Sequence, residues 1–196
     1  MGICMQAVSL GDEKISRLMA EPPLVWRIVE PEDLEPYLRA IGRSSSTGFF
    51  ARLFGGKAQP APVPRFAFGP GEMRDVYLDK SWDGLNFCLK QLLPSRGCKN
   101  LFEDGTPVGD VEIGYGPALS LTSKEVADIA ACYRGLSGKD LLAKYAPSQM
   151  RDVYLGDFWS RDDESCESYL VENFDALNAF VQQAAANRLG MLVLYA

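Results

Sequence analysis

The chain contains no histidine in 196 residues. That absence excludes Ser-His-Asp and Cys-His catalysis and every metal site that depends on imidazole. Proton transfer near neutral pH is left to a perturbed carboxylate, Lys, Tyr or Cys. Cysteine is sparse and scattered. Cys4, Cys88, Cys98, Cys132 and Cys166 form an odd set with no C-x-x-C pair, which reads as reduced thiols in a cytosol rather than a disulfide framework. No apolar run approaches the roughly 20 residues that span a bilayer. The start, Met1-Gly2-Ile3-Cys4-Met5-Gln6, has neither the basic flank nor the apolar core of a secretion signal. Gln6 stands where a myristoylation motif needs Ser or Thr. Phosphate loops are missing, because Gly114-Tyr115-Gly116-Pro117 has the spacing of neither a Walker nor a dinucleotide-binding motif. Calcium loops of the D-x-D-x-D-G type are missing as well. Positive charge is in deficit, with 20 Lys and Arg against 26 Asp and Glu, a net charge of −6 that argues against nucleic-acid binding. The expectation is a cytoplasmic protein with no cofactor, no metal, no membrane contact and no nucleic-acid partner.

What remains is ordinary globular material. The composition is 47% hydrophobic and 23% charged, enough for a single domain over residues 1–196 with a sizeable core. Ile3–Leu10 alternates as a strand. Ser9 and Asp12 open a short helix carrying Ile15, Leu18 and Met19, which Pro22-Pro23 ends. A second short helix is expected over Asp33–Ile41. Trp82, Leu85, Leu89 and Leu92 recur at helical spacing until Pro94. Val111–Leu121 is strand-like but broken by Gly114, Gly116 and Pro117. Thr122-Ser123-Lys124-Glu125 is a capping box, opening a helix with Val126, Ile129, Ala130 and Tyr133 on its buried face. Ser137–Tyr145 is another short helix. A long one follows over Glu164–Arg188, with Tyr169, Leu170, Phe174, Leu177, Phe180, Val181 and Ala184 on one face and Gly190 as its cap. Met191–Tyr195 is a continuous apolar run suited to a central strand. The class is α+β, a small mixed sheet packed by several helices.

Residues Gly42–Gly71 differ in kind. They hold Ser44-Ser45-Ser46, Gly55-Gly56 and a proline-rich stretch from Pro60 to Pro70, and no acid occurs between Pro36 and Gly71. This is a long basic loop insertion. Within it Phe49, Phe50, Arg52 and Phe54 form an aromatic patch. It reads either as a flap tucked onto the core or as an anchor presented to a partner.

The hexapeptide Met-Arg-Asp-Val-Tyr-Leu occurs twice, at Met73–Leu78 and Met150–Leu155, and each copy is followed by an acid and a tryptophan. The copies read as equivalent scaffold segments, with Tyr77 and Tyr154 alternating with core residues of strands or extended segments. The first leads into Asp75, Asp79, Lys80 and Asp83 around Trp82. Paired carboxylates beside an aromatic can serve as acid and base, whereas Asp79 is also placed to cap the following helix. The second leads into an acidic stretch containing Asp152, Asp157, Asp162, Asp163, Glu164, Glu167, Glu172 and Asp175, offset by Arg161. That stretch is either a solvated face or a surface that steers a basic protein into contact.

Leu78-Asp79-Lys80-Ser81-Trp82-Asp83-Gly84-Leu85, Leu119-Ser120-Leu121-Thr122 before a helix, the Met-Gly-Ile start and the closing apolar strand resemble the YfbM-like family of small bacterial proteins, domain of unknown function 1877. The resemblance covers most of the chain outside Gly42–Gly71. It implies a compact α+β domain and carries no activity or catalytic residues. Two functions follow from the residues. The first is a non-catalytic protein-binding domain, in concrete form an immunity protein that occludes the active site of a toxin such as a basic nuclease. It would dock through Asp157, Trp159, Asp162, Asp163, Glu164 and Glu167, with Phe49, Phe50, Arg52 and Phe54 as a second contact. The alternative is an enzyme or small-molecule binder with a cleft at Asp79, Trp82 and Asp83.

Overall fold

The apolar run at the C-terminal end forms the middle of a five-stranded sheet. The computed structural model describes residues 2–43, 64–94, 97–161 and 163–196. Phe49, Phe50, Arg52, Phe54 and Asp162 therefore lie outside the described residues. The strands are β1 (Met5–Leu10), β2 (Asp75–Tyr77), β3 (Thr106–Glu112), β4 (Pro117–Leu121) and β5 (Gly190–Tyr195), in the order β2-β1-β5-β4-β3. Every pair is antiparallel, which corrects the mixed sheet expected from sequence. No strand here needs the right-handed crossover that parallel pairing would impose.

Side chains alternate across the sheet with period two. Met5, Ala7, Leu121, Met191 and Val193 face the larger core, while Val8, Leu10, Ala118, Leu192 and Leu194 face the smaller one. With both faces covered, β5 has no polar side to show, which is why it reads as an unbroken apolar run. The smaller core is closed by α1 (Asp12–Ala20), a 3-10 turn at Pro22–Val25, α2 (Trp26–Val29) and α3 (Glu35–Ala40). The larger is closed by α4 (Trp82–Leu92), α5 (Ser123–Tyr133), α6 (Gly138–Leu142) and the 23-residue helix α8 (Glu164–Ala186), with the one-turn α7 (Gly156–Trp159) at its edge. The result is an α+β domain of three layers.

Local chemistry sets the element ends. The capping box is present: Thr122 accepts from the Glu125 N–H, and the Glu125 carboxylate accepts from the Thr122 N–H. Asp163 accepts from the Cys166 N–H at 3.0 Å and so caps α8. The broken stretch at 111–121 is a hairpin, β3 turning into β4 through the intervening glycines. Within β3, Gly109 (φ +60°) sits at a register shift and lies so close to Pro22 that a Cβ there would be 2.6 Å from the proline ring. Two expected caps are corrected. Ser9 stays in β1, its hydroxyl donating to the Gly71 carbonyl, and Gly11 precedes α1 instead. Gly190 is not a helix cap but the first residue of β5, pressed against the Leu121 carbonyl, and Arg188 takes the left-handed conformation instead (φ +56°).

Cys98 and Cys132 form a disulfide, which corrects the expectation that all five thiols are reduced. The two lie 34 residues apart. Only the packing of the segment before β3 against the last turn of α5 brings them together. Cys4, Cys88 and Cys166 are free. No described helix is long and apolar enough to cross a membrane.

Candidate functional site

The two hexapeptides adopt different structures. Met73–Leu78 contains edge strand β2, where Tyr77 is 58% exposed. Met150–Leu155 contains no strand: it leaves a 3-10 turn at Pro147–Gln149 and bends into α7. This corrects the reading of Tyr154 as a strand residue. Its hydroxyl accepts from the Ile3 N–H at 2.7 Å and its ring stacks on Trp82 at 6.0 Å. The first copy pairs with β1, whereas the second is held by Tyr154 contacts to Ile3 and Asp83.

The segments downstream of the two copies interlock. Asp83 accepts from the Tyr154 N–H at 2.8 Å, and the Trp82 indole donates to the Ile3 carbonyl at 3.0 Å. Trp82 also packs edge-on to Tyr195. Trp159 is fully buried, its indole donating to the Tyr154 carbonyl, and its six-membered ring lies directly over Gly84. Trp159 is therefore a core residue and not part of a docking face. Trp82 and Asp83 are likewise committed to holding the two segments together. Of the proposed cleft, only Asp79 is left with chemistry to spare.

Asp79 does not cap α4; Ser81 occupies that position, without a side-chain cap. The turn out of β2 places Asp79 in the left-handed region (φ +45°), its carbonyl accepting from the Met5 N–H. Aspartate is one of the few side chains that tolerate this conformation. The turn swings the carboxylate toward α8. One oxygen accepts from the Tyr169 hydroxyl at 2.8 Å and the other from the Cys4 thiol at 3.4 Å. Burial pushes this carboxyl up, but the Tyr169, Cys4 and Lys80 N–H donors outweigh it and hold it below the usual range. Tyr169 is raised in turn, by burial and then by the carboxylate it serves. The Tyr77 phenol is pushed up to about 12, first by the Cys4 thiol.

Beside this cluster lies a cavity of about 370 Å³ lined by Asp79, Lys80, Leu155, Phe158, Ser165 and Tyr169. Phe158 meets Tyr169 edge-on at 5.6 Å, and Tyr169 stacks on Trp159 at 6.0 Å, so the aromatic wall is braced from the core. Leu155, also in the lining, is left-handed too (φ +62°). Two strained residues on one cavity mark it more strongly than size does. A larger opening of about 610 Å³ lies beside Trp26, Arg39 and Val111, but its carboxylates Glu30, Asp110 and Glu112 are all exposed. Sequence reasoning named Asp79 and Lys80 but missed Cys4, Leu155, Phe158, Ser165 and Tyr169 as site residues. Tyr169 counted as core because it falls on the apolar stripe of α8, and its hydroxyl was the only hint of a second role.

The acidic stretch is on the surface. Asp152, Asp157, Asp163, Glu164, Glu167, Glu172 and Asp175 are exposed, and none forms an ion pair among the described residues. At roughly 3.6 residues per turn, Glu164, Glu167, Glu172 and Asp175 fall within about 140° of one another around α8, with Ser165 and Tyr169 on the flank of that arc. The cavity thus opens at the border of the acidic face. No group of three acidic or thiol ligands able to hold a metal occurs among the described residues.

A family model described as "Domain of unknown function (DUF1877)" matches residues 1–194. Among solved structures, the chain is similar to a protein of unknown function, YfbM from Escherichia coli, at 12% identity and a TM-score of 0.53, covering 98% of this chain and 99% of that one. At that identity the likeness shows the fold alone. No curated protein matches the sequence.

Proposed function

The chain belongs to the DUF1877 family, and from that premise we propose that it is a non-catalytic docking protein whose acidic end captures a basic protein partner. Its concrete form is an immunity protein that occludes the active site of a cognate bacterial toxin, such as a basic nuclease. The observation that supports this is the arc of exposed, unpaired carboxylates on α7 and α8. Unpaired like charges destabilise a folded surface slightly, but they raise the encounter rate with an oppositely charged partner. A cytoplasmic location belongs to the same proposal. There the Cys98–Cys132 pair would meet a reducing thiol pool, so thiol trapping on protein taken directly from cells tests the location.

Co-expression tests the function. Cells producing a candidate basic toxin should survive with the wild-type chain and die with the Glu164→Lys, Glu167→Lys, Glu172→Lys variant. Equal protection by the two would remove the acidic face from the mechanism. The second reading, a ligand cleft at Asp79, Trp82 and Asp83, is supported by the cavity beside Asp79. It is opposed at Trp82 and Asp83, which are occupied by structural contacts.

A further inference from the structure

We propose that the cavity beside Asp79 is a receptor for an arginine side chain, presented by the docking partner. This rests on the docking reading and adds an occupant to it. The Asp79 carboxylate lines the cavity and accepts from the Tyr169 hydroxyl, the Cys4 thiol and the Lys80 N–H, uncharged donors that leave its negative charge in place. Lys80 lines the same cavity but forms no ion pair with Asp79 among the described residues; its stem runs along Gly2. The carboxylate feels the Lys80 charge, but no ion pair among the described residues closes it off. The walls are Phe158, Tyr169 and Leu155, apolar surfaces suited to the methylene stem and planar head of arginine. Phe158 already holds one guanidinium, that of Arg161, 5.4 Å from its ring centre. Ser165 completes the lining, its hydroxyl donating to the Asp163 carboxylate. Outside, the carboxylates of α8 raise the local concentration of cations at the mouth. An anion would meet Asp79 and that arc, with Lys80 and Arg161 alone to favour it among the residues described around the cavity.

The test uses the full chain and the monocationic probe Nα-acetyl-L-arginine amide, followed through the backbone amide resonances of Lys80, Leu155, Ser165 and Tyr169. The probe should shift these resonances and saturate in the millimolar range. Asp79→Asn should weaken it about fivefold, the value of one exposed charge pair. Asparagine tolerates the left-handed turn, so resonances elsewhere should stay in place. Lys80→Met removes one repelling charge, the Arg161 guanidinium over Phe158 being another, and should tighten binding. The neutral norleucine analogue should not saturate. Three results would overturn the proposal: no shift at these amides, equal binding by the Asp79→Asn protein, or weaker binding by the Lys80→Met protein, which marks an anion site. Because the probe is a free amide, these outcomes stand apart from the docking assay. Loss of protection in the α8 charge-reversal variant with an inert cavity sinks the arginine receptor alone. A cavity that binds the probe in a chain that protects no cell sinks the protein partner alone.

Discussion

Gly84 is the position where the two repeat regions are pressed hardest together. An alanine Cβ there would stand 2.5, 2.7 and 2.9 Å from Cζ2, Cε2 and Cη2 of the buried Trp159. Carbon contacts prefer about 3.5–4.0 Å, so the ring or the helix must move. Overpacking of this kind costs about 1–3 kcal/mol. Alanine in place of glycine inside α4 returns about 1 kcal/mol of helix propensity. Gly84→Ala should therefore destabilise the protein by about 0–2 kcal/mol, despite being a favourable helix substitution. Replacing Trp159 with phenylalanine withdraws the colliding ring atoms. In that background only the propensity gain remains, and Gly84→Ala should stabilise by up to about 1 kcal/mol. The coupling between the two sites is then about 1–3 kcal/mol, large enough to read from urea unfolding midpoints at constant m-value. If Gly84→Ala shifts the midpoint equally in both backgrounds, Gly84 is not there to admit Trp159.

Other outcomes follow from single contacts. Tyr154→Phe leaves the Ile3 N–H without its acceptor and should cost about 1–2 kcal/mol in urea unfolding, a loss that Tyr77→Phe on the exposed edge strand should not share. Reducing the Cys98–Cys132 bond reopens a 34-residue separation and should cost roughly 3–4 kcal/mol by loop entropy, measured as a fall in the urea midpoint with reductant. Stability should fall with acid. Glu72, Asp79, Glu103, Glu125 and Asp163 are all held below their usual values, Asp163 to about 2 through the Ser165 and Cys166 donors. Depressed carboxylates stabilise the fold above their unfolded values of about 4 and lose that contribution as pH falls through the folded ones. Thermal unfolding midpoints should therefore be flat from about pH 5 upward and decline steadily below about pH 4.5; a midpoint that rises on acidification would contradict the assignment.

Periodicity and capping were legible in the sequence because they are decided locally or by burial on both sides. The Met191–Leu194 run, the Thr122–Glu125 capping box and the stripe of α8 all appear where their residues predict. The Asp79 site was not legible, because its geometry comes from a left-handed turn that sends the carboxylate to a tyrosine 90 residues away. Trp159 looked like part of an acidic surface because acids flank it in sequence, yet one turn of helix buries it against Gly84. The repeat misled for a related reason. Six identical residues carry the same propensity, and tertiary contacts separated them, β1 pairing with one copy and Ile3 and Asp83 holding the other.

The docking role is measured most directly by the association rate with a basic partner across a salt series, wild type against the Glu164→Lys, Glu167→Lys, Glu172→Lys variant. The wild-type rate should fall steeply as ionic strength rises past about 0.1 M, where screening reaches about 10 Å, and the variant should associate slowly with little salt dependence. Equal rates and equal salt slopes for the two proteins would contradict an acidic docking face.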